Sequence, residues 1–598
     1  MKVSPRWFWL ALVFLTTQLV YLHTLNPAFP NDDSAETITA GVTLGLQHPP
    51  GYALAAIVGR CESFIPLGGF GFRANWGGSL LGSLGAVLLT FLLFSLLKSG
   101  WFLGTDAEGN WVVPFGAVMG GLSLGFSPTY WQNALSAKGG IYLLTICLQL
   151  MILAYLIYAA KNDDKTKAKV LGLSFFLAGL GLANHWETLV IFIPAILLFF
   201  YLTKNRKLLE WIQAVSFSFL GASALLYLPL RAHRNPVLNL GAPDTFSSFL
   251  TDLFRHYYSY RETNLWSVWI SYLKGSSSWN QFILVFHQII KNKGEALFLN
   301  LGWDIGWFTF GLALLGVALW FRSPGKNILS FILLSWFLLW SSIFFYYNSS
   351  QTQNTPLLEI KFFLSSDWMI FLLASLALTF LLSKINHWKN IGSVLAAALI
   401  VGYLTVHAKQ DLILMDQQRQ VDVYDYGQNL LKSLPSHSLF FAESDEDYFS
   451  LYYLQQVEHR RPDVIMIPTF TLFEPWGTQK VERKNPDLGL TASTVSFPDH
   501  FARIIYAASE LAVKNRKQRP VAFSNFNGAF HRYYLDQQKN IKIRSSGLVW
   551  ILESPIIHKG FCLSSDQLRI REIQEFQNQW DGSLEGIRKV YKSVGIDL

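Results

Sequence analysis

Carboxylates, an imidazole and paired prolines crowd into the stretch NDDSAETITAGVTLGLQHPPGY, from residue 31 to residue 52. Asp32, Asp33 and Glu36 offer carboxylates able to take a proton from a hydroxyl group, and His48 adds an imidazole. A plain structural explanation competes with the chemical one. Asp32 and Asp33 stand where a helix would begin, with Ser34 as a rival cap, and acids are favoured there by the positive end of the helix. At helical spacing Asp32 and Glu36 share a face while Asp33 points about 100° away, so the two aspartates need not do the same work. HPPG then halts the helix, because the first proline disfavours α geometry at His48 and neither proline donates an N–H.

The elements that must hold this stretch are apolar. Hydrophobic residues make up 51% of the 598, aromatic residues 15% and charged residues only 15%, and the mean hydropathy is +0.28. A soluble chain of this size carries more charge, so the composition describes a membrane protein. Apolar runs fall at about 7–25, 74–97, 112–127, 140–160, 168–184, 187–203, 211–230, 296–320, 328–347, 366–383 and 391–407, giving about eleven spans. The first follows Lys2 and Arg6 and lacks a small-residue cleavage site, so it reads as a transmembrane helix and not a removed signal. Ala53 to Phe64 is apolar but interrupted by Arg60 and Glu62, the pattern of a re-entrant or interfacial helix.

With the N-terminus inside, the inward loops hold Lys98, Lys161, Lys165, Lys167, Lys169, Lys204, Arg206, Lys207, Arg322, Lys326, Lys384 and Lys389. The short outward loops hold little beyond Arg60, Lys138 and Lys361. That asymmetry is the positive-inside rule, and it explains the net charge of +8 without nucleic acid. Three cysteines, Cys61, Cys147 and Cys562, make neither a disulfide framework nor a thiolate metal site.

The expected organisation is therefore a transmembrane domain over 1–407, with a first external loop at 26–72 and a large one at 231–295, then a soluble extracytoplasmic α/β domain over 408–598. In that last part SLFFAES, DVIMIPTF, PVAFSN and LVWILES alternate with helical segments, which predicts a largely parallel sheet able to fold by itself. AESDEDYF reads first as a capped helix with an acidic start, and TFTLFEPWG as packing against the membrane part. There is no GxGxxG and no GKS-type phosphate loop.

Several segments together resemble a known family. NDDSAE with HPPGY, SPTYWQNALSAKGGIYLL, GLGLANHWETL, YLPLRAHRNPVLNLG, LEIKFFLSSDW, DYGQNLL and SDEDYFSLYYLQQVEHRRPDV resemble, in order, glycosyltransferase family 117, which includes animal protein O-mannosyltransferases. The resemblance covers about 30 to 470. It implies a GT-C-type polytopic fold and an acid on the first external loop that serves the acceptor, with a polyprenyl-phosphate sugar as donor. Glu359 and Lys361 fill a place where the family usually has Glu and Arg, and lysine keeps the charge but loses the fork. Two departures stand out: Gly139-Gly140-Ile141-Tyr142 replaces the family's Ala-Glu-Val-Tyr, and Ala35 replaces its usual glycine.

The resulting expectation is an inverting transfer of a sugar, with mannose one candidate, to a protein or glycan acceptor outside the cytoplasm, across a bacterial inner membrane facing the periplasm. Asp33 is the expected base, with Asp32 and Glu36 as further catalytic candidates. His48, Tyr142, Asn184, His185, Arg231, Arg234, Glu359 and Lys361 are the expected substrate-binding groups. Asn184 and His185 end a glycine-rich span at its outer edge, where polar groups are expensive. Arg231 either snorkels or, with Arg234, clamps phosphate. No cofactor is certain, no metal ligand is assigned, and a divalent cation stays open. The competing classes are a flippase of lipid-linked glycans, disfavoured by the lack of visible internal repeats, and an inactive sensor or scaffold, favoured only by the missing glutamate. Reporter fusions at Lys165 and Gln420 should give opposite signals, and matching signals would refute the topology.

Overall fold

The computed structural model describes residues 5–30, 32–98, 102, 111–160, 164–186, 208–255, 272–274, 278–323, 355–388, 411–491, 500–524 and 543–552, with isolated positions between 330 and 409. Its helices are α1 (Arg6–Thr24), α2 (Ser34–Thr43), α3 (Ala53–Ser63), α4 (Phe70–Leu97), α5 (Val112–Gly125), α6 (Pro128–Ala134) and α7 (Ala137–Ala160). There follow α8 (Asp164–Asn184), α9 (Leu208–Ala222), α10 (Tyr227–Ala232), α11 (Phe246–Leu253), α12 (Trp279–Leu299), α13 (Trp307–Trp320) and α14 (Thr355–Trp388). The C-terminal unit comprises α15 (Asp422–Ser433), β1 (Leu439–Ala442), α16 (Asp445–Gln456), β2 (Ile465–Pro468), α17 (Pro475–Lys484), α18 (His500–Asn515), β3 (Val521–Phe523), β4 (Ile543–Ser546) and β5 (Val549–Leu552).

Among the described residues, five helices are long and apolar enough to cross a membrane, and seven segments qualify if each bent pair is one span. One pair is α5 and α6, bent by 67° where Pro128 opens the second helix. The other runs from Ile290 to Trp320 and bends by 95° at Gly306, whose φ of 80° suits glycine. The span expected at 168–184 forms the shorter apolar helix Lys169–Asn184. Those expected at 187–203, 328–347 and 391–407 lie largely outside the described residues, so the count of eleven stands as an expectation. The eleven-residue α3 is too short to cross, in keeping with an interfacial or re-entrant segment.

The membrane bundle is packed closely around α4. A Cβ added to Gly85 would come within 2.2 Å of the Tyr130 hydroxyl, which instead donates to the Gly82 carbonyl at 2.8 Å. Small residues admit this approach, because helices in lipid gain from contact and not from leaving water.

The C-terminal sheet departs from the parallel pattern read in the sequence. Its order is β2-β1-β3-β5-β4, with β1 parallel to β2 and β3, while β5 runs antiparallel to both β3 and β4. The reason is local: Gly547, at φ 56°, closes a tight hairpin between β4 and β5, and a connection that short can only reverse direction. Leu439 and Phe441 of β1 face a core with Ile467, Leu511 and Phe523. Phe440 and Ala442, on the opposite face, join a second core.

That second core spans the expected domain boundary. It joins Tyr426, Leu430, Tyr448, Phe449 and Tyr453 of the C-terminal unit to Phe29, Ala35, Ile38, Leu238 and Leu240 of the membrane part. The Phe29 ring is fully buried and meets Tyr453 and Tyr424 at centroid distances of 5.0 and 5.8 Å. Phe470 and Trp476, from TFTLFEPWG, pack against the same core. Cutting the chain near residue 415 would expose this face to water.

Burial, reinforced by the charge of Asp447, pushes the Glu443 carboxyl up to about 8 from 4.5. Folding therefore takes up a proton between those pH values, and stability falls as pH rises through the window. Glu443→Gln should match the wild-type melting temperature at pH 4 and exceed it by several degrees at pH 9; equal melting at both would refute the assignment.

Candidate functional site

Helix α2 begins at Ser34, and the side chains before it divide the work. The Asp32 carboxylate turns back to accept the Ser34 N–H at 2.7 Å, so it serves the helix start. Asp33 occupies the cap position without a capping bond from its side chain. Because it precedes the helix, the 100° offset expected from helical spacing does not separate it from Glu36. Both acids approach His48.

Glu36 is fully buried. Its Oε1 accepts the His48 backbone N–H at 2.5 Å and its Oε2 meets His48 Nδ1 at 2.6 Å. A carboxylate beside Nδ1 fixes the proton there, which turns the Nε2 lone pair outward. Nε2 stands 3.4 Å from Lys138 Nζ and 4.0 Å from Asp33 Oδ2. Lys138 Nζ completes the cluster at 3.2 Å from Asp33 Oδ2. Exposure separates the two acids: the Asp33 side chain is 35% accessible and that of Glu36 is closed off. Of the pair, only Asp33 has an accessible side chain.

The loop after α2 is strapped to the segment following α10. Leu46 bridges to this segment, donating to the Leu238 carbonyl at 2.8 Å and accepting from Leu240 at 3.2 Å. Arg231 Nε donates to the Leu44 carbonyl at 2.7 Å and Nη2 to that of Thr43 at 3.3 Å. The fork, expected either to snorkel or to clamp phosphate, holds carbonyls at the end of α2, which a helix terminus leaves without partners. Arg234 is exposed at the next turn.

A second wall comes from α7 and α8. The His185 ring lies 5.9 Å from both Tyr52 and Tyr142, and Tyr52 meets His48 edge-on at 5.7 Å. Asn184 donates to the Ile141 carbonyl at 2.8 Å and to Thr145 Oγ1 at 3.0 Å, fixing the end of α8 on α7. Glu359 and Lys361 fall on α14, but their side chains lie outside the described residues. So Asp33, Glu36, His48, Tyr142 and His185 converge, while Asp32, Asn184 and Arg231 support the backbone.

One participant, Lys138, was not among the expected site residues, and a second, Asp445, was read first as part of a capped acidic helix start. Lys138 read only as one of few outward lysines. Asp445 sits at the solvent-accessible start of α16, where Ser444 and Asp447 form the expected capping box. Its carboxyl is pushed up to about 6 by its enclosure and then by the charge of Asp33, so the C-terminal unit delivers an acid to the site. Between α2, α3, α4 and α7 opens a small cleft, lined by Gly41, Gly59, Glu62, Gly78 and Gly140 among others. Gly140, where the family glutamate is missing, shares it with Glu62, whose carboxyl burial pushes up to about 8.

Helices of this length and apolarity, with a charged cluster at a loop between them, define an integral membrane protein with a polar site at the base of its first loop. Residues 33–209 match the family described as protein O-mannosyl-transferase TMEM260 N-terminal domain, and residues 423–524 match TMEM260-associated domain 2. These two matches bear out the family resemblance read from the motifs. It is 26% identical over 489 residues to the mouse protein O-mannosyl-transferase TMEM260, covering 79% of this chain and 64% of that one. With the Dictyostelium discoideum protein of the same name it shares 20% identity over 509 residues, 78% of this chain and 58% of the relative. The chain therefore spans less than two thirds of either relative's length.

Arg231→Ala should lower stability by about 1–3 kcal/mol, as two carbonyls lose charge-assisted donors. Unchanged thermal melting would show that the strap carries no weight.

Proposed function

We propose that this chain is a membrane glycosyltransferase of GT-C type that moves a sugar, mannose by the names of its relatives, from a polyprenyl phosphate to a protein or glycan hydroxyl on the non-cytoplasmic face. Its relatives are named protein O-mannosyl-transferases, and that supports the reaction class. The carrying observation is that Asp33, 35% accessible, is the most open member of the cluster it forms with Glu36, His48 and Lys138. Asp33 removes the proton of the acceptor hydroxyl, for which it must approach within about 3 Å. The acceptor oxygen then bonds to the anomeric carbon from the face opposite the phosphate, the carbon–oxygen bond to phosphate breaks, and configuration inverts. The leaving phosphate takes the electron pair.

Charge on that phosphate grows through the step, and donors already in place stabilise it without reorganising. His185 and the exposed Arg234 are the groups proposed to supply such donors, with Glu359 and Lys361 as further contributors. Arg231 acts through the position it gives the loop. The Tyr52, Tyr142 and His185 rings offer faces on which a sugar can rest. Glu36 holds His48, and His48 shapes the loop around Asp33.

In purified protein assayed with radiolabelled polyprenyl-phosphate sugars, Asp33→Asn should cut turnover by about 10²–10⁴-fold with donor binding kept. Asp32→Asn should cost only helix stability, about 1 kcal/mol. Full activity in folded Asp33→Asn would overturn the assignment, and transfer by neither wild type nor variant with any donor would overturn the reaction class.

A further inference from the structure

Asp33, Glu36 and His48 place one ligand-type atom each within 4.8 Å of one another, the spacing at which a divalent cation is commonly clasped. The atoms turned toward that centre are already engaged. Lys138 Nζ lies 3.2 Å from Asp33 Oδ2 and 3.4 Å from His48 Nε2, and 4.5 Å above the Tyr52 ring. Glu36 spends both oxygens on His48. The lysine side chain is only 4% accessible, so it cannot swing into water without unpacking its surroundings. Its backbone is fixed as well, with the Lys138 N–H donating to Ser34 Oγ at 3.1 Å. α2 and α7 are thereby locked in the register that keeps the ammonium over Asp33.

We propose that Lys138 is the resident cation of this site: it stands where a divalent metal would, balances and aims Asp33, and leaves the reaction independent of divalent ions. The clause about the reaction rests on the transferase reading; the occupancy of the site does not. A dication among these three ligands would lie within a few ångströms of an ammonium ion in a weakly hydrated site, where repulsion is poorly screened. Asp445, the further acid acting on Asp33, belongs to another element and leaves the ammonium in place. Lys138 is a positioning residue, since it acts through Asp33.

The test uses purified full-length protein and Mn²⁺ as the probe, followed by electron paramagnetic resonance. Wild type should bind no Mn²⁺ at micromolar concentrations. Lys138→Gln should gain a site that Asp33→Asn, added to it, removes again. In the transfer assay wild type should be indifferent to EDTA, Lys138→Gln should lose about 10²-fold and recover in part with Mn²⁺ or Mg²⁺, and Lys138→Arg should keep most activity. Stoichiometric Mn²⁺ on wild type that Asp33→Asn abolishes, transfer stopped by EDTA, or a folded Lys138→Gln that gains no site would each overturn the proposal. The wild-type titration decides the matter even if Lys138→Gln does not fold. Loss of transfer with every donor would count against the transferase reading and leave the Mn²⁺ result standing.

Discussion

Glu36 is fully buried, and much of the site's construction answers that constraint. An ionised carboxylate out of solvent is tolerable only with donors on both oxygens. His48 supplies two, one from its backbone and one from its ring, and can do so because HPPG ends the run that follows α2 at the required distance. Fixing His48 in this way turns Nε2 toward Lys138, and the ammonium in turn holds Asp33. A chain of charge-assisted contacts thus runs from a closed interior to one accessible carboxylate, and each member restricts the geometry of the next.

The same loop is the hinge point between the two parts of the molecule. α2 packs its apolar side, Ala35 and Ile38, into a core shared with α15 and α16. Tyr452 donates from α16 to the Val237 carbonyl, Lys480 to that of Asn239 at 3.1 Å, and Leu46 pairs with the same segment from the other side. The C-terminal unit is therefore a wall of the site more than an appendage. Burial pushes the Lys480 ammonium down to about 7, with neighbouring Lys484 adding to the effect.

The site's two departures from the family pattern fall at the cleft and at α2. Gly140 faces Gly78 across the cleft, with its added Cβ position 3.4 Å from the Gly78 Cα. An acid at that position would enter a space where Glu62 already presents its carboxyl. Ala35 is buried in the core shared with α16, where a glycine would leave a methyl-sized gap.

The apolar runs by themselves determined that this chain spans a membrane, because a continuous apolar run of that length satisfies its backbone in lipid as a helix, and they located the spans that the structure describes. Local chemistry likewise determined the start of α2, the stop at HPPG, the capping box of Ser444 and Asp447, and the family, whose motifs lie on contiguous residues. Tertiary structure decided the rest. That Asp33 and Glu36 meet at His48 depends on a chain reversal, and that Lys138 joins them depends on the packing of α7 against α2, over a hundred residues apart in sequence. Arg231 was legible as a cation at a membrane edge, but its partner carbonyls lie 187 and 188 residues away, and no local pattern records them. The antiparallel turn of the sheet and the shared core escaped for the same reason. Strand direction and domain contact are settled by which apolar faces find each other, and a sequence shows that a face is apolar without showing what covers it.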